Sequence, residues 1–226
     1  VIQAVIADQI LQLPNRGEPF SQVGRNLPRY LADATDTESI YQWTREVTDG
    51  VFKFLSSNRG QYDLARVLSM GFDHVTVIRR KDHIGSLLSQ AHADASGCFH
   101  YHGNPENRYL YTNLVKQMSF SVPQQAQMSW LKNYFLNLQG IEIIERSGID
   151  WEIVDYEKFI DTGNLTVTGI DYSTDWSSVS TIPLCIDYRS LCTNLDEIES
   201  LIDYWLSRRD TVGNLLREID TLISEL

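Results

Sequence analysis

The chain is short of cysteine and of positive charge. Its three cysteines, Cys98, Cys185 and Cys192, form no CxxC pair and no Cys/His metal spacing. That spacing offers no metal motif and leaves reduced structural thiols of a cytosolic protein as the reading. Only 19 Lys and Arg stand against 30 Asp and Glu, giving a net charge of −11. Such a balance argues against nonspecific nucleic-acid binding, which needs many cations to release counterions. No apolar run approaches the roughly 20 residues that cross a bilayer. No signal peptide is visible, no Gly-x-x-x-x-Gly-Lys loop occurs, and there is no internal repeat. The first residue is Val1, already inside an amphipathic pattern (Val1, Ile2, Val5, Ile6, Ile10, Leu13). A helix without a start signal leads to the expectation that the natural beginning lies upstream.

What is present is the composition of an ordinary globule, 42% hydrophobic and 22% charged over 226 residues. That length suits one α/β domain, or one domain with an appendage. After the opening helix, Pro14 to Pro19 reads as a turn and Asn26-Leu27-Pro28 as a loop. Asp36 or Thr37 caps a helix over 37–48, with Ile40, Tyr41, Trp43 and Val47 inward, and Gly50 ends it. Val51 to Leu55 reads as a strand, 61–70 as a helix with Leu64, Val67 and Leu68 inward, and 74–78 as a second strand. Strand–helix–strand is the signature of a parallel α/β sheet. Further helices are expected over 82–95, 109–118 and from Pro123 to about Leu138, continuing through Ile141–Arg146. A third strand, 150–154, turns into a short helix at 155–159. Residues 161–183 read as loop or weak hairpin. The acidic stretch 195–226 reads as two helices split near Arg209-Asp210 or at Gly213.

The chemistry concentrates at Val75 to Ser89. Strand residues Val75–Ile78 run into Arg79, Arg80 and Lys81, and Asp82 opens a helix. A buried strand ending in cations beside a helix N-terminus suits an anion, because backbone N–H groups and the helix dipole face it and arginine offers a planar fork. The bland alternative is a solvated strand end. Glu18 lies in a turn, with Gly17 and Pro19 fixing the backbone on either side of its carboxylate. Lys53 is a candidate charge stabiliser or an edge-strand lysine. Arg16, Arg25 and Arg29 are further anion candidates. His100 and His102 alternate as on one strand face, but two ligands do not make a metal site. They read as pocket-lining or loop residues. Tyr101, Tyr109 and Tyr111 suit stacking on a sugar, whereas Trp43, Trp130 and Trp151 read as core.

The order of these segments resembles a family. An opening helix precedes Arg16-Gly17-Glu18-Pro19-Phe20, then Val51-Phe52-Lys53-Phe54, then Val77-Ile78-Arg79-Arg80-Lys81-Asp82 with Ser86 and Ser89, then Trp151 to Phe159. Over roughly residues 1–160 this resembles the P-loop-fold sulfotransferases, especially the bacterial carbohydrate branch typified by trehalose sulfotransferase. The resemblance implies an α/β three-layer sandwich with a parallel central sheet. It implies 3′-phosphoadenosine 5′-phosphosulfate (PAPS) as donor, a hydroxyl of a carbohydrate or glycoconjugate as acceptor, and no metal. Arg79, with Arg80 behind it, matches the arginine that holds the donor's 3′-phosphate. The serine that shares that task matches Ser86 or Ser89. Glu18 matches the base, and Tyr156-Glu157 matches a strand-to-helix joint. The family's Pro-Arg-Ser-Gly-Thr-like loop, which cradles the 5′-phosphosulfate, is not in the sequence, and neither is the Arg-Lys-Gly loop of the animal cytosolic enzymes.

The expected organisation is a sulfotransferase-like domain over 1–194, lacking its first strand and phosphate loop, with a helical extension over 195–226 packed on it. A cytoplasmic location is expected. A rival reading is a non-catalytic interaction protein that keeps the fold. It would use the stripe Ile198, Leu201, Ile202, Trp205 and Leu206 as a homodimer or partner interface. A nucleotide kinase is a weaker third reading, since no Walker-type lysine motif is present.

Overall fold

The structure is a computed structural model that describes residues 5–17, 19–20, 37–47, 49–55, 62–97, 115–173 and 186–226. It is mixed α/β. Among the described residues the strands form three two-stranded sheets: β1 (Asn15–Gly17) with β2 (Val51–Phe52), β3 (His74–Arg79) with β4 (Asp150–Asp155), and β5 (Asn164–Val167) with β6 (Ile170–Ser173). β1 and β2 are parallel. The expected pairing of the strands at 51–55 and 74–78 in one parallel sheet is not seen, because β2 is only two residues long and pairs with β1 instead.

The helices of ten residues or more follow their sequence signals closely, whereas the end of the helix expected over 109–118 is a 3-10 turn at Val115–Gln117, with 109–114 outside the described residues. The helices are α1 (Thr37–Glu46), α2 (Leu64–Leu68), α3 (His83–Ser96), α4 (Gln124–Ser147), α5 (Tyr156–Thr162), α6 (Tyr188–Leu191), α7 (Leu195–Ser207) and α8 (Val212–Glu225). Asp63, Asp82, Asp155, Asp187 and Thr211 each cap a helix by accepting a backbone N–H with the side chain, which satisfies a donor that the helix itself leaves unpaired. α4 follows Pro123 and runs unbroken through Gly140, as its apolar spacing implies. The α7–α8 break falls at Arg208–Thr211, and Gly213 lies inside α8.

Two expectations are corrected. Pro14–Pro19 is not all turn: Asn15–Gly17 is strand, held where Val51 N–H donates to Pro14 O (2.9 Å) and Arg16 donates to Asp49 Oδ1 (2.7 Å). The helix expected over 61–70 is confined to Leu64–Leu68, because Asp63 caps it late and Ser69 closes its C-terminal turn. The opening segment Val5–Leu11 is helical with the wide π-type hydrogen-bond spacing.

The chain divides into two compact units. The first comprises 1–77, 136–154 and 165–172, and the second 78–135, 155–164 and 173–226. The first unit's core sets Phe20, Ile40, Tyr41, Tyr62 and Val67 together, with Phe54, Met70 and Phe72 against them. A second cluster joins Leu64, Leu68 and Ile144 to Val75, Val77 and Trp151. The second unit buries Leu87, Leu88 and Ala91 of α3, Met128, Leu131 and Phe135 of α4, Phe159 of α5, and the inner faces of α7 and α8. Each of the buried leucines, phenylalanines and methionine contributes about 1.5–3 kcal/mol by leaving water. No helix among the described residues is long and apolar enough to cross a membrane.

Candidate functional site

β3 alternates. Val75 and Val77 pack on the apolar cluster of their unit, while His74 and Thr76 face the other way, as strand geometry requires. The strand was expected to be buried. It is half-buried, and its last residues, Ile78 and Arg79, are exposed. A two-stranded sheet leaves an edge uncovered, and that is why charge is tolerated there.

The corner between β3 and α3 belongs to the second unit and holds four of the expected site residues. Arg79 is exposed and has no hydrogen-bond or ion-pair partner among the described residues. Arg80 lies over the Tyr156 ring, with its guanidinium carbon 4.1 Å from the centroid, and donates to Ser86 Oγ at 3.3 Å. Ser89 lies three residues beyond Ser86 on α3 and is half-buried like it. Positions three apart share a helix face, so Arg80, Ser86 and Ser89 address one side of α3. Lys81, the third cation, is neutralised by an ion pair with Asp155.

The backbone donors of this corner are also taken. Glu157 accepts the Lys81 N–H at 3.0 Å through one carboxylate oxygen and the Asp82 N–H at 3.4 Å through the other. Asp82 caps α3 by accepting the Gly85 N–H at 2.9 Å and pairs with Arg189, which also binds Glu199. Gly85 is needed for that cap, since a Cβ there would stand 2.1 Å from the Asp82 carboxylate. Of the three consecutive cations, then, only Arg79 and Arg80 lack a carboxylate partner among the described residues. Lys81 holds the Asp155 carboxyl below its usual range, first through their hydrogen bond.

His83 opens α3. Its ring meets Tyr134 edge-on at 4.8 Å, and Tyr134 stacks on Trp130 at 5.6 Å. Burial against these rings lowers the His83 pKa, with Asp82 and Glu157 opposing the shift and Arg79 adding to it. Burial likewise raises the Tyr134 phenol. Trp43 is buried as expected, and Trp130 and Trp151 are half-buried.

The remaining expected residues stand elsewhere. Lys53 directly follows β2 in the first unit and is half-buried. Arg16 is committed to Asp49 through two donors. Glu18, Arg25, Arg29, His100, His102, Tyr101, Tyr109 and Tyr111 lie outside the described residues. Among the described residues no three His, Cys, Asp or Glu side chains gather as metal ligands. Cys192 is a free, half-buried thiol. Of the stripe on α7 expected as an interface, Ile198, Ile202 and Trp205 are buried, Leu201 is half-buried and Leu206 at its end is exposed.

One polar cluster went unread in the sequence. In the first unit, Glu152 of β4 accepts from His74 Nε2 (3.1 Å), Thr76 Oγ1 (3.2 Å) and the Thr168 N–H (3.0 Å). Thr168 carries a positive φ of 51° in the β5–β6 turn, beside Gly169 at 76°. The carboxylate ties the hairpin turn to the β3–β4 pair. The signal was polar residues at period two, His74 and Thr76, within an otherwise apolar strand.

Compared with family models, characterised proteins and solved structures, the chain matches none.

Proposed function

We propose that the chain is a sulfotransferase. It takes a sulfuryl group from PAPS and gives it to a hydroxyl of a carbohydrate or glycoconjugate, in a cytoplasmic setting, with a P-loop-type parallel sheet as its frame. The observation that carries the reading is the β3–α3 corner. An exposed arginine without a partner among the described residues, Arg79, is followed by an arginine that reaches a helix serine, the Arg80–Ser86 pair. These residue types fit a phosphate, which asks for a cationic fork and a hydroxyl donor.

In this reading Arg79 and Arg80 bind the donor's 3′-phosphate, with Ser86 or Ser89 donating a hydroxyl hydrogen bond. Glu18 takes the proton of the acceptor hydroxyl while its oxygen attacks sulfur. The bond from sulfur to the phosphate oxygen breaks, and adenosine 3′,5′-bisphosphate leaves. Lys53 offsets the charge that develops on the transferred group. In-line displacement of this kind needs position and electrostatics more than covalent chemistry, as phosphoryl transfer does.

The base is tested by transfer of radiolabelled sulfuryl from PAPS to a panel of sugars. Glu18→Gln is expected to cut turnover by about 10²–10⁴-fold, the range of a lost general base, while donor affinity stays within a factor of two or so. Unaltered turnover removes Glu18 from the mechanism.

A further inference from the structure

The two backbone donors that follow the proposed phosphate-binding arginines in the chain already hold an anion, and it belongs to the chain. Glu157 spans the Lys81 and Asp82 amides with one oxygen on each, the bidentate arrangement that a phosphate or sulfate would adopt. Its backbone is anchored in the first turn of α5, a helix fixed by the Asp155 cap and the buried Phe159. The adjoining Asp155 pairs with the Lys81 side chain. Two carboxylates from one strand-to-helix joint therefore close over one two-residue segment, and between them they engage its amides and its cation.

We propose that Glu157 is a resident anion that holds the donor site shut, and that an incoming phosphate-bearing nucleotide must displace it from the Lys81 and Asp82 amides. This rests on the donor-binding reading of Arg79 and Arg80. A phosphate beside those arginines meets Glu157 both as a competitor for the same N–H groups and as a like charge at short range. Displacing the carboxylate removes one of the three contacts that hold the α5 joint at the β3–α3 corner, the others being the Lys81–Asp155 pair and Arg80 on the Tyr156 ring. The chemistry of the ligand follows from the donors: a phosphate group with at least two free oxygens, carried by a nucleotide that Arg79 can reach.

The test is calorimetry of the full chain with adenosine 3′,5′-bisphosphate at one fixed ionic strength, comparing wild type, Glu157→Gln, Glu157→Asp and Arg79→Ala. Circular dichroism verifies that each is folded. Glutamine keeps the shape and an acceptor oxygen but loses the charge, and aspartate keeps the charge but withdraws it by one methylene. The account expects binding about tenfold tighter in Glu157→Gln, as loss of one near like charge implies. It expects a gain of the same sign in Glu157→Asp. In wild type the ¹⁵N amide signals of Lys81 and Asp82 should shift as the ligand saturates. Wild-type binding that depends on Arg79 but is unchanged or weakened by both Glu157 variants overturns the latch and leaves the donor site standing. Saturation without movement of the two amide signals does the same. No binding by any of the folded proteins overturns both.

Discussion

Gly50 shows how a single atom decides local structure. Its φ of +128° is one that side chains rarely adopt. A Cβ there would stand 2.6 Å from Arg16 Cγ and 2.8 Å from Pro14 O. Arg16 can shift, but the carbonyl cannot, because it accepts the Val51 N–H that starts the β1–β2 pairing. Gly50→Ala is therefore expected to cost about 2 kcal/mol or more, the range for a strained φ combined with a backbone clash. Urea denaturation measures it, and a change within about 0.5 kcal/mol would mean that β1 and β2 need not meet as they do. Residue roles that depend on local chain were legible: Asp82 as a cap, Gly50 as a break, Leu64 and Val67 as core. Roles that depend on distant chain were not. Glu157 was read as part of a joint, yet its partners at Lys81 and Asp82 lie 76 and 75 residues away. Glu152 drew no notice because His74 is 78 residues off. A carboxylate in a sequence carries no mark of the donor it will meet.

Among elements, length separated what could be read from what could not. α1, α3, α4, α7 and α8 each run ten residues or more, so their apolar spacing and caps outweigh local noise. β1 and β2 are three and two residues long. So short a strand is decided by what pairs with it, not by its own propensity. The α7–α8 joint is held by the side chain of Arg208. Arg208 lies against the Trp205 ring at 4.9 Å and donates to Asp210 and Glu218, each at 2.8 Å. Glu218 is held below its ordinary value of 4.5, first by its hydrogen bond from Arg208. A carboxyl depressed in the fold adds stability that is full above its unfolded pKa and is lost as pH falls through the folded one. Arg208→Ala should therefore lower the thermal midpoint at pH 7 and flatten the loss of stability below about pH 4.5. Differential scanning calorimetry from pH 3 to 7 reads both. An unchanged acid limb would mean that the pair adds nothing, as many exposed pairs do.

At the scale of the whole molecule, net charge and site charge point in opposite directions. The chain carries −11, yet its β3–α3 corner presents Arg79 and Arg80 without carboxylate partners among the described residues. An anionic ligand responds to the local field, and the surrounding acid discourages bulk polyanions. The mixed α/β class was legible from alternating strand and helix signals. The extent of the sheets was not, since pairing between distant strands leaves no periodic trace. The units are likewise interleaved in sequence, so α7 and α8 belong with residues 78–135, a grouping that composition along the chain does not announce.

The central claim is that Arg79 binds the phosphate of a nucleotide donor. Isothermal titration with adenosine 3′,5′-bisphosphate, on wild type and on Arg79→Ala at equal salt, tests it most directly. The account predicts saturable wild-type binding and a loss of about 10–100-fold in the variant, the worth of a charge-assisted hydrogen bond to phosphate. Equal and weak binding by the two proteins would contradict it.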